Sequence, residues 1–243
     1  GVPSSCGQLR IILNLMDIND HNPIFSKDIY SFNVLENMPA GTLIGQVYAF
    51  DADEGINGKI KYSLIGGNGH ADSSQSNENN YFSLDSNTGV LTLNSAKLDY
   101  ETEQHFSLTV EAKDSGVGSL PAYATIDIFV QDKNDNMPEI SVSFFNTLKR
   151  NGTNIYLKEN YEPNKFLALV SLADRDSGEN ARLDWKVNVN NEEITKSSSN
   201  QQLLSLNVLN ANSFTINTGT KANVLFDREK NENLNVTIVS WDY

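Results

Sequence analysis

Cysteine is nearly absent from these 243 residues: Cys6 stands alone, so no disulfide can close within the chain. With one thiol and only His21, His70 and His105, no soft-ligand cluster for zinc or copper is available. The same shortage argues against a Ser/His/Asp or Cys/His catalytic set. No run approaches the roughly 18 apolar residues that a membrane span requires. The first residues, 1–7, lack the basic start and apolar core of a secretion signal. Positive charge is scarce too, 18 Lys+Arg against 31 Asp+Glu for a net charge of −13. That balance excludes the basic patch expected of a nucleic-acid or anionic-membrane surface. No phosphate-cradling glycine loop and no amphipathic helix stand out. Apolar residues still make up 39% of the chain, enough for packed cores, and the length suits two ordinary domains.

What is present in quantity is acid, and it recurs in order. DINDHNP at residues 17–23 returns as DKNDNMP at 132–138. Glu36-Asn37 returns as Glu159-Asn160, and Asp51-Ala52-Asp53 as Asp174-Arg175-Asp176. Asn57 and Asn180 each follow a Gly-x pair after those acids, and Leu98-Asp99-Tyr100-Glu101 returns as Phe226-Asp227-Arg228-Glu229. Glu36 to Asp51 and Glu159 to Asp174 are both 15 residues, as are Asp99 to Asp114 and Asp227 to Asp242. Asp51 to Asp99 is 48 residues but Asp174 to Asp227 is 53, so loops absorb length while the acidic positions keep register.

Between the acidic blocks lie short β-branched and aromatic runs with period-two alternation, which predict strands over 29–35, 42–49, 59–65, 81–84, 90–93, 106–111 and 124–130. Seven strands in roughly 110 residues is the arithmetic of an immunoglobulin-like sandwich. The fold class expected is all-β: tandem seven-stranded Greek-key β-sandwich repeats. Residues 1–20 read as the last strand of a preceding repeat, with the strand itself at 9–15. Residues 21–135 read as a complete repeat, and 136–243 as a repeat that stops before its final strand. The polar stretches 66–80 and 191–202 read as one variable loop, strand 234–240 as an edge, and Trp185 and Trp241 as core aromatics.

Asp, Glu and Asn at repeated positions supply the six to eight oxygen ligands that calcium takes, whereas magnesium demands near-octahedral geometry and usually a phosphate partner. The motifs together resemble the cadherin family across essentially the whole chain, and DRDSGEN at 174–180 is most similar to protocadherins. The resemblance implies calcium-binding linkers with three Ca2+ ions between consecutive repeats. It implies that Glu36, Asp99, Glu101 and Asp135 hold two ions, helped by the Lys133 carbonyl and Asp176. It implies a third ion on Asn134, Asp174, Asp176 and Asp242, with the carbonyls of Asn136 and Asn180. Asn19, Asp20, Asp51, Asp53, Asn57 and Asp114 match half of an earlier joint, with His21 contributing only its carbonyl. Glu159, Asp227 and Glu229 match half of a later one.

The function this implies is a segment of a calcium-dependent cell–cell adhesion ectodomain, extracellular, from a single-pass plasma-membrane protein whose signal and anchor lie outside these residues. The expected partner is another cadherin ectodomain, homophilic or heterophilic, with no nucleic acid, no direct membrane contact and no small-molecule substrate. A calcium-stiffened structural rod or a carbohydrate-binding sandwich are the alternatives. Paired carboxylates can also run glycoside hydrolysis, but here the acids fall at repeat ends, so an enzyme is disfavoured. Sequons at Asn151 and Asn235 fit an extracellular glycoprotein. The commonplace reading of any single Asp-x-Asp is a solvated turn, and it is kept for Glu54, Asp72, Glu78, Glu179, Glu192 and Glu193.

Overall fold

Where apolar and polar residues alternate over the longest stretches, the longest strands form. In the computed structural model the described residues are 9–67, 81–94, 98–145, 148–190, 192–194, 203–219, 226, 228–229 and 232–242. They divide into two units, Gly1–Gln131 and Asp132–Tyr243. The division falls at the start of the 132–138 motif rather than within it.

In unit 1 the strands are β1 (Ile24–Phe25), β2 (Ile29–Leu35), β3 (Leu43–Gln46), β4 (Ala49–Phe50), β5 (Ile60–Gly67), β6 (Phe82–Leu84), β7 (Val90–Leu93), β8 (His105–Asp114) and β9 (Ala122–Gln131). One sheet has the order β2-β9-β8-β5 and the other β3-β7-β6, with β1 and β4 forming a short pair. The first and last long strands, β2 and β9, run parallel; every other pairing is antiparallel. Phe106, Leu108, Val110 and Ala112 of β8 and Ala124, Ile126, Ile128 and Val130 of β9 are all buried, as period two on a half-buried sheet requires. They join Phe82, Leu91 and Leu93 of the facing sheet in one core.

The run 42–49 is not one strand. A register shift between Leu43 and Gly45 bends it, β3 ends at Gln46, and β4 pairs with β1 instead. Tyrosine hydroxyls serve the backbone at the break: Tyr30 donates to the Tyr48 carbonyl at 2.8 Å, and the Ala49 N–H donates to the Tyr62 oxygen at 2.9 Å. Residues 9–20 carry no strand and their apolar side chains are exposed. A strand needs a neighbouring ladder for its N–H and C=O groups, and no described strand pairs with this stretch.

Unit 2 contains β10 (Glu139–Phe144), β11 (Lys149–Asn151), β12 (Asn154–Tyr156), β13 (Phe166–Ala173), β14 (Asp184–Val189), β15 (Glu192–Ile194), β16 (Leu204–Asn210), β17 (Ser213–Thr218) and β18 (Val236–Trp241). Its sheets are β10-β13-β17-β16 and β15-β14-β18, with β11-β12 a separate hairpin. Trp185 stacks on Phe214 at 4.0 Å between centroids and belongs to the core. Trp241 does not: it is 38% exposed, on the outward side of edge strand β18, where the matching residue of unit 1 is exposed Lys113. The stretch 191–202 is not all loop either, since Glu192–Ile194 extends a hairpin with β14; its other residues, like 68–80, lie outside the described residues.

The two units begin alike. Ile24 faces Phe50 and Phe25 faces Ala49, just as Glu139 faces Ala173 and Ile140 faces Leu172. In both, the Asp-x-Asp acids follow at once, so the sheet sets their position against the linker motif. Leu108, fully buried in the middle of β8, sits at the centre of unit 1. Leu108→Ala is expected to cost about 2–5 kcal/mol in denaturant unfolding of unit 1, whereas exposed Leu120→Ala should stay within about 0.5 kcal/mol. Equal effects would contradict this assignment of the core.

Candidate metal centre

Five hydrogen bonds recur at matching positions in the two units and fold the acids around the linker motif. The Asp53 N–H donates to Asp51 Oδ1 at 3.0 Å, and the Asp176 N–H to Asp174 Oδ1 at 3.0 Å. Asp53 Oδ2 accepts the His21 N–H at 3.0 Å, and Asp176 accepts the Asn136 N–H at 3.3 Å. Asp17 Oδ2 accepts the Glu54 N–H and Asn57 Nδ2; Asp132 Oδ2 accepts the Ser177 N–H and Asn180 Nδ2, both at 2.9 Å. The Asn37 N–H donates to the Leu98 carbonyl and the Asn160 N–H to the Phe226 carbonyl, tying each Glu-Asn corner to the residue before its Asp-x-Glu motif. Asn37 and Asn160 both take positive φ, 56° and 55°, a left-handed corner that asparagine tolerates.

These bonds use one oxygen of each carboxylate and leave others bare. Asn19 Oδ1, Asp51 Oδ2, Asp114 Oδ2, Asp132 Oδ1 and Asp174 Oδ2 are buried without any hydrogen-bond partner in the protein. In unit 1 two of them are neighbours: Asn19 Nδ2 donates to Asp114 Oδ1 at 3.1 Å. Gly116 closes the other side; a Cβ there would lie 2.6 Å from Asn19 Nδ2 and 2.5 Å from Asn57 Oδ1. A buried carboxylate oxygen with no donor is costly, and hard oxygens in this number are what calcium takes. The donor set therefore fits calcium.

At the other end of unit 1, carboxylate oxygens of Glu36, Asp99 and Glu101 lie within 4.8 Å of one another. Glu36 is 1% exposed and accepts the Tyr100 N–H at 2.8 Å. Burial, and after it the hydrogen bond shared with Asp99 and the like charges of Glu36 and Asp99, pushes Glu101 up to about 7. Asp99 is held below its ordinary value, chiefly by hydrogen bonds from Thr102 and Glu101. Among carboxylates packed this closely, one keeps a proton unless a cation replaces it.

The His21 ring lies against two of the acids. Its Nδ1 lies 2.7 Å from Asp53 Oδ1 and 2.9 Å from Asp20 Oδ1, so the ring itself reaches the acids. The Asp53 hydrogen bond, against a smaller opposing effect of burial, raises the pKa of His21. Burial alone would raise Asp53, but the N–H and ring of His21 outweigh it and hold that carboxyl below its ordinary value. In unit 2 Asp176 is only 5% exposed; Asn136 Nδ2 reaches its Oδ1 at 2.6 Å and the Asp135 N–H reaches its Oδ2 at 3.2 Å. Asn134 and Asp242 are half-buried, while Lys133 and Asp135 are exposed. Glu159 and Glu229 are exposed, and Asp227 lies outside the described residues.

Comparison with known proteins decides the family. A cadherin-domain model matches residues 30–131. The chain belongs to the cadherin superfamily. Human protocadherin gamma-B5 is 34% identical to this cadherin over 243 residues, covering 100% of the chain and 22% of that protein. A solved structure of protocadherin gamma B2 extracellular cadherin domains 1–5 superposes with a TM-score of 0.70 at 32% identity, over 93% of this chain and 37% of that one. A cis-dimer structure of protocadherin gamma B7 aligns with a TM-score of 0.60 at 26% identity, over 91% of this chain and 47% of that one. This cadherin spans less than a quarter of the length of the curated relatives it matches.

Sequence reasoning missed two residues. Asp17 and Asp132 open the linker motifs, and their repetition was visible, but no metal role fell to them. The structure shows each pinning the loop after Asp-x-Asp. Burial by itself would raise Asp132, yet the Ser177 N–H, Asn180 and the Ser177 hydroxyl hold it below the ordinary carboxylate value. Glu54, Glu179, Glu192 and Glu193 are exposed, as their reading as solvated acids requires; Asp72 and Glu78 lie outside the described residues.

The Glu101 proton is testable. Because its folded pKa lies above its ordinary value, its contribution to the stability of metal-free protein is complete below about 4.5 and lost as pH rises through about 7. Asp99, shifted the other way, contributes above its ordinary value and loses that as pH falls. Metal binding at this cluster should release a proton below about pH 7, and affinity should weaken on acidification. Calcium titration calorimetry in two buffers of different ionisation enthalpy should show the release, and Glu101→Gln should remove it. Buffer-independent heats for the parent chain would contradict the shared proton.

Proposed function

We propose that this cadherin chain is a calcium-stiffened segment of an extracellular cell–cell adhesion ectodomain. The observation that carries the reading is the matched set of buried, unpartnered oxygens, Asp51 Oδ2 with Asn19 Oδ1 and Asp114 Oδ2 in one unit, Asp174 Oδ2 in the other. Glu36, Asp99, Glu101 and Asp135, with the Lys133 carbonyl and Asp176, form one ligand set. Asn134, Asp174, Asp176 and Asp242, with the carbonyls of Asn136 and Asn180, form another. Asn19, Asp20, Asp51, Asp53, Asn57, Asp114 and the His21 carbonyl belong to an earlier joint, and Glu159, Asp227 and Glu229 to a later one. Bound Ca2+ supplies the positive charge that lets these carboxylates crowd together. Without it they repel one another and the passage from repeat to repeat flexes; with it both repeats are tied to the same ions.

The partner is another cadherin ectodomain, of the same or a different kind; gamma B7, a relative, is known as a cis dimer. The parent protein is extracellular and membrane-anchored, with no nucleic-acid or small-molecule substrate and no catalytic role. Asp17, Glu36, Asp51, Asp53 and Asp99 each accept a backbone N–H, which supports a structural role for these acids.

Ligand that binds only the folded state raises stability by mass action. Millimolar calcium should raise the melting temperature above that in chelator, and equal magnesium should do much less. Identical melting curves in all three conditions would sink the proposal.

The residues rank as well. Asp176 is buried and engaged by Asp135 and Asn136, and it belongs to both ligand sets. Asp242 belongs to one. The Glu179 side chain is 90% exposed and lies 3.8 Å from Arg182. Asp176→Asn should weaken calcium binding at two sites, Asp242→Asn at one, and Glu179→Gln should change stability by less than about 0.5 kcal/mol. Titration calorimetry on the three variants reads the order, and a Glu179→Gln loss equal to that of Asp176→Asn would overturn the register.

A further inference from the structure

We propose that Asn151 carries an N-linked glycan, displayed at the tip of a hairpin that unit 1 does not have. From Pro23 to Glu36 is 13 residues, whereas from Pro138 to Glu159 is 21. In unit 1 only Ser26, Lys27 and Asp28 stand between β1 and β2; in unit 2 the longer interval is taken up by β11 and β12. Leu148, Ile155 and Leu157 pack against the unit 2 core and fix the root of this hairpin. Asn151, Gly152, Thr153 and Asn154, at its tip, are all exposed.

The turn is tight and its surroundings are open. Lys149 faces Tyr156, Arg150 faces Ile155 and Asn151 faces Asn154, which leaves Gly152-Thr153 as a two-residue turn. Gly152 takes a φ of 60°, the left-handed value that a two-residue hairpin turn with glycine first uses, and one that glycine adopts without strain. A Cβ placed on Gly152 would meet nothing within 4 Å beyond its chain neighbours. A bulky group attached beside it therefore displaces no core contact.

Asn151-Gly152-Thr153 is an acceptor triplet for N-glycosylation, a bulky, solubilising modification of surface asparagines. The donor is an oligosaccharide linked to lipid through pyrophosphate. Asn151 Nδ2 forms a bond to the anomeric carbon of the sugar, and the bond from that carbon to the pyrophosphate oxygen breaks. The amide gives up one proton, and the lipid pyrophosphate leaves with the electron pair. The second triplet, Asn235-Val236-Thr237, is placed differently. The Asn235 N–H donates to Asn190 Oδ1 at 3.0 Å, its carbonyl accepts the Asn190 N–H at 2.9 Å, and Thr237 lies within β18 opposite Asn188. That triplet is built into a sheet rather than displayed at a tip. A glycan on Asn151 rests on the extracellular location proposed above, since the transfer reaches only chains that enter the secretory route.

Secretion of the 243-residue chain from cultured animal cells, behind a cleavable signal, tests this. Peptide N-glycosidase in heavy-oxygen water converts each glycan-bearing asparagine to a labelled aspartate, and peptide mass spectrometry should find that label at Asn151. A parallel incubation without the enzyme subtracts spontaneous deamidation of the Asn151-Gly152 pair. Thr153→Ala should abolish the label, and Thr153→Ser should keep it. Unlabelled Asn151 in the secreted parent chain would overturn the proposal, as would a label that survives Thr153→Ala. Melting the same secreted material in calcium and in chelator keeps the two readings apart. Unlabelled Asn151 beside a calcium-dependent melting temperature sinks the glycan alone; labelled Asn151 beside identical curves supports the glycan and sinks the calcium reading.

Discussion

A carboxylate has two oxygens, and much of the site follows from how they are divided. In Asp51 and Asp174 one oxygen is spent on a backbone N–H two residues on, and the other is left buried and bare. The first bond shapes the loop; the second oxygen is buried there without a donor, which is costly. Asp132 splits in the same way, one oxygen holding Ser177 and Asn180 and the other left unpartnered. Under the proposed calcium binding, local folding and ion binding are coupled through the same side chains.

The sandwich matters to this site chiefly as a ruler. The β1–β4 pairing of unit 1 and the β10–β13 pairing of unit 2 share their opening register, and in each the chain leaves the sheet straight into the acidic loop. The Glu-Asn corner is held equally tightly, with an N–H bond to Leu98 or Phe226 and a left-handed asparagine in both units. Between these anchors the sequence is free to change length, which is why the interval from Asp51 to Asp99 differs from that between Asp174 and Asp227 without disturbing the acids.

The units differ in how their opening strands pair. In unit 1, β2 runs beside β9 and the core beneath β8 is sealed. In unit 2 the opening strand β10 keeps to β13 through six pairs, the next residues form the β11–β12 hairpin, and the inner side of β18 stays partly exposed.

The sequence by itself determined the strand periodicity, the repeat and the recurrence of the acidic positions. Strands 29–35 and 90–93 fall where alternation put them, and Glu36, Asp99 and Glu101 do converge. Those features are legible because they are local spacings and residue types. Tertiary structure alone decided that 42–49 breaks between two sheets, because the break depends on hydroxyls of Tyr30 and Tyr62 that are distant in sequence. It also decided that residues 9–20 form no strand, since a ladder needs a partner and no described strand pairs with them. The roles of Asp17 and Asp132 were invisible for a related reason: a motif shows which residues recur, but only the folded chain shows which N–H groups reach them.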